Sequence, residues 1–435
     1  MSDLARSVAD ALAGTPLADA ITPAVERFLA RRGDDAAAGR IDGPVLGGLA
    51  RLIATQPGTA GFLSARPAWL ERVAELSADT FAARGEALDG DATALAELDL
   101  EDALDFLRLR RREETALAAC ADLAGLAPFP EISGFLSRVA ETTTRMALDL
   151  ARRRLPEGGA RDAFAVIGMG KIAGCEFTYH SDLDLIFLFR GGSAEIDRAS
   201  RLGQRLISTL TTMTGAGIAY EVDTRLRPSG QQGMLVASFD GYERYQTTEA
   251  ATWEHLAMLR ARPLAGAVEE AAERLRHVRE HVLPAAAPPW DELADLRRRV
   301  VEERAAGDDG VAALKTGPGG LMDVDFLAGG GLLERGAAPF PDPPSVSRML
   351  RAAAPGEGCE ALLVEYHALR RIEARARWVA GRGVERLPDD LAVTAELVEP
   401  GLSAEALRER VAATRRRVRA DWDRVLAAGS IEGIG

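Results

Sequence analysis

The sequence has few of the residues that mark disulfide-bonded, nucleic-acid-binding or membrane proteins. Its three cysteines, Cys120, Cys175 and Cys359, lie far apart and form neither a disulfide framework nor a metal-binding motif. Aromatic residues make up 5%, and the net charge of −13 argues against a general nucleic-acid-binding protein. No apolar run is long enough to span a bilayer, and the N-terminus lacks the features of a signal peptide. We therefore expect a cytoplasmic protein with neither a membrane nor a nucleic-acid partner.

What the chain does contain predicts an α+β protein that is predominantly helical. Alanine and leucine are abundant, and 435 residues suffice for two or three domains. Helical spacing of apolar residues predicts an N-terminal helical region over 1–157 and a C-terminal helical bundle over 285–432. Between them, residues 158–270 show a mixed strand and helix pattern, which predicts a small sheet domain. A proline-rich linker, Ala285–Pro289, precedes the last region.

The chain is organised around the stretch from Ala163 to Phe189. It holds two apolar runs that predict buried strands, Ala163–Ile167 and Leu185–Phe189. Asp182 and Asp184 stand at the start of the second strand, one residue apart. Because side chains alternate along a strand, we expect both carboxylates on one face. Two such carboxylates repel each other unless a cation lies between them, and oxygen ligands suit Mg²⁺ or Mn²⁺.

A third acid and a glycine loop surround this pair in the sequence. Ile218–Leu226 predicts a third strand, on which Asp223 shares a face with Arg225 and Arg227, and Tyr242–Arg262 predicts a helix. Three acids on adjacent strands can surround two divalent cations, as phosphoryl and nucleotidyl transfer require. The loop after the first strand can bring backbone N–H groups close to phosphate through its glycines and can add a lysine charge; its residues are Gly170, Lys171 and Gly174.

Each of these features also has an ordinary structural explanation. A lone Asp-x-Asp pair is a weak motif, and the G-M-G-K loop is neither a P-loop nor a G-x-G-x-x-G sequence. Asp223 and Arg225 can form a plain ion pair, and the stem of Arg227 can cover apolar surface. The combination of a glycine loop, paired acids and a third acid favours the functional explanation.

Four blocks of sequence resemble the glutamine synthetase adenylyltransferases, which belong to the nucleotidyltransferase superfamily of DNA polymerase beta. In order along the chain, the blocks are GMGKIAGCEFTYHSDLDLIF, YEVDTRLRPSGQQGMLV, EAATWEHLAMLRAR and KTGPGGLMDVDF. Members of this family usually carry two halves in one long chain, one that adds AMP to glutamine synthetase and one that removes it. This chain resembles one half, and YEVDTRLRPSG with TWEH is more similar to the adenylylating half.

The resemblance implies a role for each matching residue. Asp182, Asp184 and Asp223 match the catalytic metal ligands. The nucleotide and phosphate ligands are matched by Gly170, Lys171, Gly174, Ser181, Arg225 and Arg227. A second acidic pair, Asp323 and Asp325, matches a family pair whose role the sequence leaves open between catalysis and packing. The sequence departs from the family pattern at three positions near these motifs: Ala173, His180 and Asp325.

From this resemblance we expect AMP transfer from ATP to a tyrosine of glutamine synthetase, with Mg²⁺ or Mn²⁺ as cofactor. A PII-type signal protein is a further expected partner. Two alternatives stay open at this point. The first is phosphorolytic removal of AMP from adenylylated glutamine synthetase, which uses the same metal site. The second is a non-catalytic half that binds nucleotide or a PII-type protein.

Overall fold

The computed structural model describes residues 3–19, 28, 40–88, 90–155, 163–228, 230, 233–283, 289–336 and 339–434. The predicted break at Pro156–Gly159, the boundary at 157–158 and most of the Ala285–Pro289 linker lie outside these residues. The three cysteines are free, as the sequence predicts. No helix within the described residues combines the length and apolar character that crossing a membrane requires.

The regular secondary structure of the described residues in the N-terminal region is helical. Its helices are short at first and long at the end: α1 (Asp3–Asp10), α2 (Gly43–Thr55), α3 (Pro57–Ser64), α4 (Pro67–Ala74), α5 (Ala78–Ala87), α6 (Gly90–Ala96), α7 (Leu100–Leu123) and α8 (Phe129–Arg153). Prolines at the first turns of α2, α3 and α4 explain why this region is broken into short pieces, because proline is tolerated there but not in a helix interior.

The central region forms a small mixed sheet with helices at its edges. In chain order it contains β1 (Phe164–Met169), α9 (Gly170–Ala173), β2 (Leu183–Phe189), α10 (Ser193–Thr211), β3 (Val222–Asp223), β4 (Val236–Ser238), α11 (Phe239–Thr248), α12 (Thr252–Leu259), β5 (Ala261–Gly266) and α13 (Val268–His277). β1 lies between β2 and β5 and is antiparallel to both, whereas β3 and β4 pair with β2 in parallel. The predicted α+β class with a small mixed sheet is confirmed.

The C-terminal region is again helical. Its helices are α14 (Trp290–Arg304), α15 (Leu321–Arg335), α16 (Val346–Ala353), α17 (Glu357–Ala380), α18 (Ala392–Val398) and α19 (Ala404–Ala428). The glycine-rich segment 316–320 precedes α15 as a loop.

The sheet is buried on both faces, between two hydrophobic cores. Phe164 and Val166 of β1 pack into the core formed with the N-terminal helices, while Ala165 and Ile167 pack into the core of the C-terminal helices. On β2 the same alternation sends Leu185 to the first core and Ile186 to the second. Burial of both faces explains why each strand is a continuous apolar run, and it places Asp184, which alternates with Leu185, on the side of the C-terminal helices.

Two predicted elements are wrong. The strand predicted over Ile218–Leu226 is reduced to Val222–Asp223, because arginines of α7 bind the backbone carbonyls of the preceding segment. The helix predicted over Tyr242–Arg262 consists of α11 and α12, and its last residues begin strand β5. Pro263 argues against a strand in the sequence, because proline cannot donate a backbone hydrogen bond. In the structure, it lies where the register of β1 and β5 shifts.

Candidate active site

Strand pairing brings the three predicted metal ligands together. Asp182 immediately precedes β2, and Asp184 on β2 stands directly opposite Asp223 on the parallel strand β3. One carboxylate oxygen from each of the three residues lies within 4.8 Å of the other two. Asp182 is exposed, whereas Asp184 and Asp223 are half-buried. The arrangement gives a cation access from solvent and oxygen ligands on two neighbouring strands.

The electrostatics of this cluster show an excess of negative charge. Burial raises the pKa of Asp184 to about 6, and the carboxylates of Asp182 and Asp223 add to this effect. The pKa of Asp223 is lowered, mainly because its side chain accepts hydrogen bonds from Arg225. An all-oxygen donor set that lacks enough positive charge fits Mg²⁺ or Mn²⁺. The residues present therefore suit the divalent cation that the sequence predicts.

Arg225 and Arg227 follow β3 in a turn, so the prediction that they extend a strand face is wrong. Arg225 binds both carboxylate oxygens of Asp223, with its Nε 2.7 Å from Oδ2 and 3.0 Å from Oδ1. Its side chain is 68% exposed, so it can leave Asp223 when a cation or phosphate binds. Arg227 donates to the carbonyl oxygen of Thr224 at 2.7 Å. Both arginines line an open groove of about 660 Å³ together with Asp182, Glu221 and Asp223.

The glycine loop divides into a part near the acids and a part away from them. Gly170 has a φ of 58°, and a Cβ there would lie 3.6 Å from the Asp184 carboxylate. Gly174 instead faces Glu176 and Pro344, since a Cβ there would lie 2.9 Å from Glu176 Oε2 and 3.1 Å from the Pro344 carbonyl oxygen. The structure thus places Gly170 beside the acids and gives Gly174 a packing role. The predicted loop is in fact largely helical: Gly170 and Lys171 begin α9, which is a single turn, and Gly174 follows its last residue.

Lys171 lies near the acids but already has a carboxylate partner. Its Nζ is 2.8 Å from Glu373 Oε1 on α17, and Arg370 Nη1 lies 2.6 Å from the other oxygen of Glu373. The pKa of Lys171 is lowered to about 7, mainly by burial; Glu373 opposes this shift, and nearby arginines contribute to it. The sequence analysis did not identify Glu373. Its signal was an acid inside the arginine-rich segment RRIEARAR of a helix.

Ser181 is buried and holds the chain immediately before the first acid. Its Oγ lies 3.0 Å from Thr178 Oγ1 and accepts a hydrogen bond of 3.0 Å from Arg377 on α17. The preceding residue, His180, has a φ of 51°, a left-handed conformation in which glycine would be less strained because it has no Cβ. Arg377 was also missed from the sequence, because nothing local links α17 to this loop.

The second acidic pair does not join the cluster. Asp323 is fully buried. Its carboxylate accepts hydrogen bonds from Arg297 Nε at 2.6 Å and from the Gly319 backbone N–H at 2.7 Å. Burial raises its pKa, an effect that Arg297 and the Gly319 N–H oppose. Asp325 is half-buried and pairs with Arg260 at 3.1 Å. Of the two roles left open by the sequence, these contacts favour packing.

Arginines of the N-terminal helix α7 hold the segment that leads to Asp223. Arg108 is fully buried and donates to the carbonyl oxygens of Gly217, Thr209 and Thr212 at 2.9, 2.8 and 2.7 Å. Arg111, 5.1 Å above the ring of Tyr220, lines a second cavity of about 270 Å³. This cavity reaches Asp182 and so adjoins the groove. The N-terminal helices therefore help to shape the acidic site.

Comparison with known proteins agrees with the geometry. The sequence model of the glutamate-ammonia ligase adenylyltransferase family matches residues 46–277. Proteins named bifunctional glutamine synthetase adenylyltransferase/adenylyl-removing enzyme are similar to this chain. The protein from Thioalkalivibrio sulfidiphilus is 37% identical over 265 residues, and that from Pseudomonas aeruginosa is 36% identical over 272 residues.

The match covers more of this chain than of its relatives. The aligned segment makes up 55% of this chain and 27% of the Thioalkalivibrio sulfidiphilus protein, and the corresponding shares for Pseudomonas aeruginosa are 54% and 27%. The chain thus aligns with roughly a quarter of the length of the curated relatives. The matched segment 46–277 includes the sheet and all three clustered acids, and on this evidence the chain belongs to the glutamate-ammonia ligase adenylyltransferase family.

Proposed function

We propose that this protein is a metal-dependent nucleotidyltransferase that moves AMP from ATP to a tyrosine of glutamine synthetase. The convergence of Asp182, Asp184 and Asp223 at one edge of the sheet is the observation that carries the proposal. The relatives, whose names contain both adenylyltransferase and adenylyl-removing enzyme, support the same class of reaction.

Asp182 and Asp184 would hold Mg²⁺ or Mn²⁺, with Asp223 as the third ligand. When bound, such a cation neutralises phosphate charge and lowers the pKa of an acceptor hydroxyl. Asp223 would lie nearest the acceptor hydroxyl, where its carboxylate would accept the proton directly or act through the cation. The hydrogen bonds from Arg225 lower the pKa of Asp223 and so favour the charged form that a cation binds. Gly170 leaves room for phosphate beside Asp184 because it has no side chain.

In the proposed reaction, the tyrosine oxygen bonds to the α-phosphorus of ATP. The bond from that phosphorus to the bridging oxygen breaks, and pyrophosphate leaves. Arg225 and Arg227 line the groove beside Asp182, where they would stabilise charge on the phosphates. Lys171 is a further predicted phosphate ligand, and Glu373 holds its ammonium group in this structure.

The direction of transfer distinguishes the proposal from its closest alternative. Phosphorolytic removal would use the same acids, with phosphate attacking the AMP–tyrosine bond and AMP leaving as ADP. We favour AMP addition because the sequence motifs YEVDTRLRPSG and TWEH resemble those of the adenylylating half. The full chain should be incubated with unmodified glutamine synthetase, ATP and Mg²⁺, and in parallel with adenylylated glutamine synthetase and phosphate.

We expect a mass increase of one AMP on glutamine synthetase in the first reaction, and none when EDTA replaces Mg²⁺. Phosphate-dependent ADP release in the second reaction, with no AMP incorporation in the first, would reverse the direction. A protein that binds ATP or a PII-type protein and performs neither reaction would support the regulatory alternative. In that case PII would be the principal partner rather than a modulator.

A further inference from the structure

The segment between the glycine loop and the first acid has no regular secondary structure. Residues 176–182 lie between α9 and β2 and belong to neither a helix nor a strand. Their backbone polar groups therefore need partners other than a helix or a sheet ladder. Asp182 is the last residue of this segment, so the position of its carboxylate depends on how firmly the segment is held.

Helix α17 supplies a guanidinium group to this segment. Arg377 Nη1 lies within hydrogen-bond distance of four oxygens: Ser181 Oγ at 3.0 Å, the carbonyl oxygens of His180 and Tyr179 at 3.3 and 3.4 Å, and Thr178 Oγ1 at 3.5 Å. One nitrogen of a helix that is distant in sequence thus contacts every residue from 178 to 181, directly before the first acid.

The same segment contains strained backbone. Within the described part of the chain, the two non-glycine residues with a positive φ are Cys175, at 56°, and His180, at 51°. The left-handed region is unfavourable for a residue with a side chain, so such residues persist only where their surroundings fix them. The carbonyl oxygen of His180 is one of the oxygens that Arg377 contacts. Arg377 therefore helps to hold, directly before Asp182, a conformation that the chain by itself disfavours.

A carboxylate on the same helix fixes the orientation of Arg377. Glu373 lies one helical turn earlier, and its Oε1 is 3.6 Å from Arg377 Nε. Glu373 is buried and is itself held by Lys171 at 2.8 Å and by Arg370 at 2.6 Å. The side chain of Arg377 is only 12% exposed. Its guanidinium group is thus fixed between Glu373 on one side and segment 178–181 on the other.

A separate anchor holds the segment further from the acid. Tyr179 donates a hydrogen bond of 2.7 Å to Asp122 on α7, and Arg375 Nη2 binds the other carboxylate oxygen of Asp122 at 2.8 Å. These contacts do not involve Arg377. Loss of Arg377 should therefore loosen the residues next to Asp182 while the surrounding fold remains.

We propose that Arg377 is a positioning residue that holds Asp182 in place to bind a divalent cation. This inference rests on the proposed nucleotidyltransferase function, in which Asp182, Asp184 and Asp223 hold Mg²⁺ or Mn²⁺. Arg377 acts through segment 178–181 and contacts neither the cation nor the nucleotide. Its loss should lower the affinity for the cation, because Asp182 would no longer be held beside the other two acids.

The test measures Mn²⁺ binding to the full chain by isothermal titration calorimetry, without nucleotide. We expect Arg377→Met to raise the Kd for Mn²⁺ by about tenfold, as loss of a partner behind a metal ligand does. Arg371→Met is the matched control, since Arg371 is an exposed arginine on the same helix, and its Kd should equal that of the wild type. Arg377→Lys keeps a nitrogen donor and a positive charge at this position and should recover part of the affinity.

A Kd for Arg377→Met within about twofold of wild type would overturn the proposal and leave the cation site standing. An Arg377→Lys variant as weak as Arg377→Met would also contradict it, because the loss would then follow from packing rather than from the donated hydrogen bonds. A wild-type chain that does not bind Mn²⁺, or that binds it equally well after Asp182→Asn, would overturn the cation site and the proposed function with it.

Thermal unfolding should show one cooperative transition for each variant. If Arg377→Met does not fold, Ser181→Ala takes its place, because it removes the shortest of the four contacts and leaves Arg377 beside Glu373. We expect Ser181→Ala to raise the Kd for Mn²⁺ by about fivefold, the effect of one hydrogen bond. A Kd within about twofold of wild type for this variant would contradict the proposal.

Discussion

The two Asp-x-Asp pairs of this chain have the same spacing, but their side chains lie in different surroundings. Asp182 and Asp184 stand at the start of β2, where residues two apart point to the same side, and both carboxylates meet Asp223. Asp323 and Asp325 lie in the first turn and a half of helix α15, where residues two apart point to different sides. One is buried against Arg297 and the other pairs with Arg260. The same motif therefore gathers its carboxylates into one acidic cluster on a strand and forms two separate ion pairs on a helix.

The comparison also separates acids that repel from acids that are neutralised. The strand pair gathers negative charge without a buried arginine, which costs stability and favours a cation. The helix pair has an arginine for each acid, so it stabilises the loop and the helix without needing a cation. Substitutions in the strand pair and in the helix pair test this difference.

The largest effect is expected for the strand pair on catalysis. Asp182→Asn removes a charged oxygen ligand from the site, and we expect activity to fall by at least about a thousandfold. Because Asp182 is exposed, unfolding by urea should be little changed. AMP incorporation into glutamine synthetase measures the loss, and Asp325→Asn is the matched control on the helix. Equal activity of the Asp182 variant and the control would show that Asp182 is not required for catalysis.

The next effect is on stability and concerns the helix pair. Asp323→Asn leaves the guanidinium group of Arg297 buried without its carboxylate, which should lower the free energy of unfolding by about 3–5 kcal/mol. Urea unfolding at neutral pH measures the change. The double variant Asp323→Leu, Arg297→Met should recover part of the loss, because both charges are then removed together. A single variant as stable as wild type would show that the pair is dispensable.

A stabilising effect is expected from Asp184→Asn in the metal-free protein. Asp184 has a pKa of about 6 in the folded protein, above its ordinary value of 3.8, so the folded state binds the proton more tightly. The contribution of this group to stability is therefore present at low pH and is lost as the pH rises from about 4 to about 6.

At neutral pH without metal, Asp184→Asn should raise the free energy of unfolding by about 1–2 kcal/mol. Mg²⁺ should stabilise the wild-type protein and have less effect on the variant. Calorimetry at two pH values, with and without Mg²⁺, tests both statements. Destabilisation of the metal-free variant at pH 7 would mean that the charge of Asp184 is already compensated within the protein.

The smallest effect is expected for the second member of the helix pair. Asp325→Asn weakens a partly exposed ion pair, while Arg260 keeps its bond to Glu176, so the free energy of unfolding should change by less than about 1 kcal/mol. The same urea titration used for Asp323→Asn measures it. A loss as large as that of Asp323→Asn would make the two helix acids equivalent, which their different burial argues against.

Local patterns account for the parts of the fold that were predicted correctly. The apolar runs of β1 and β2 are recognisable because consecutive apolar residues indicate a strand that is buried on both faces. Strand β5 was missed because Pro263 and Gly266 are residues that disfavour a strand. Its pairing with β1 joins residues that are far apart in the chain, so no local pattern indicates it. The length of β3 was overestimated because two distant contacts and a turn limit it. Arg108 and Arg111 of α7 donate to the carbonyl oxygens of Gly217 and Ile218 in the preceding segment, and the residues after Asp223 form a turn.

By itself, the sequence determined that Asp182 and Asp184 share one strand face and that the chain resembles adenylyltransferases, since both follow from adjacent residues. Only the tertiary structure decided that Asp223 stands directly opposite Asp184, that Glu373 binds Lys171, and that Asp323 is buried against Arg297. Those outcomes depend on contacts between residues far apart in the chain. Burial and charge pairing at such contacts are set by packing, which no local pattern encodes.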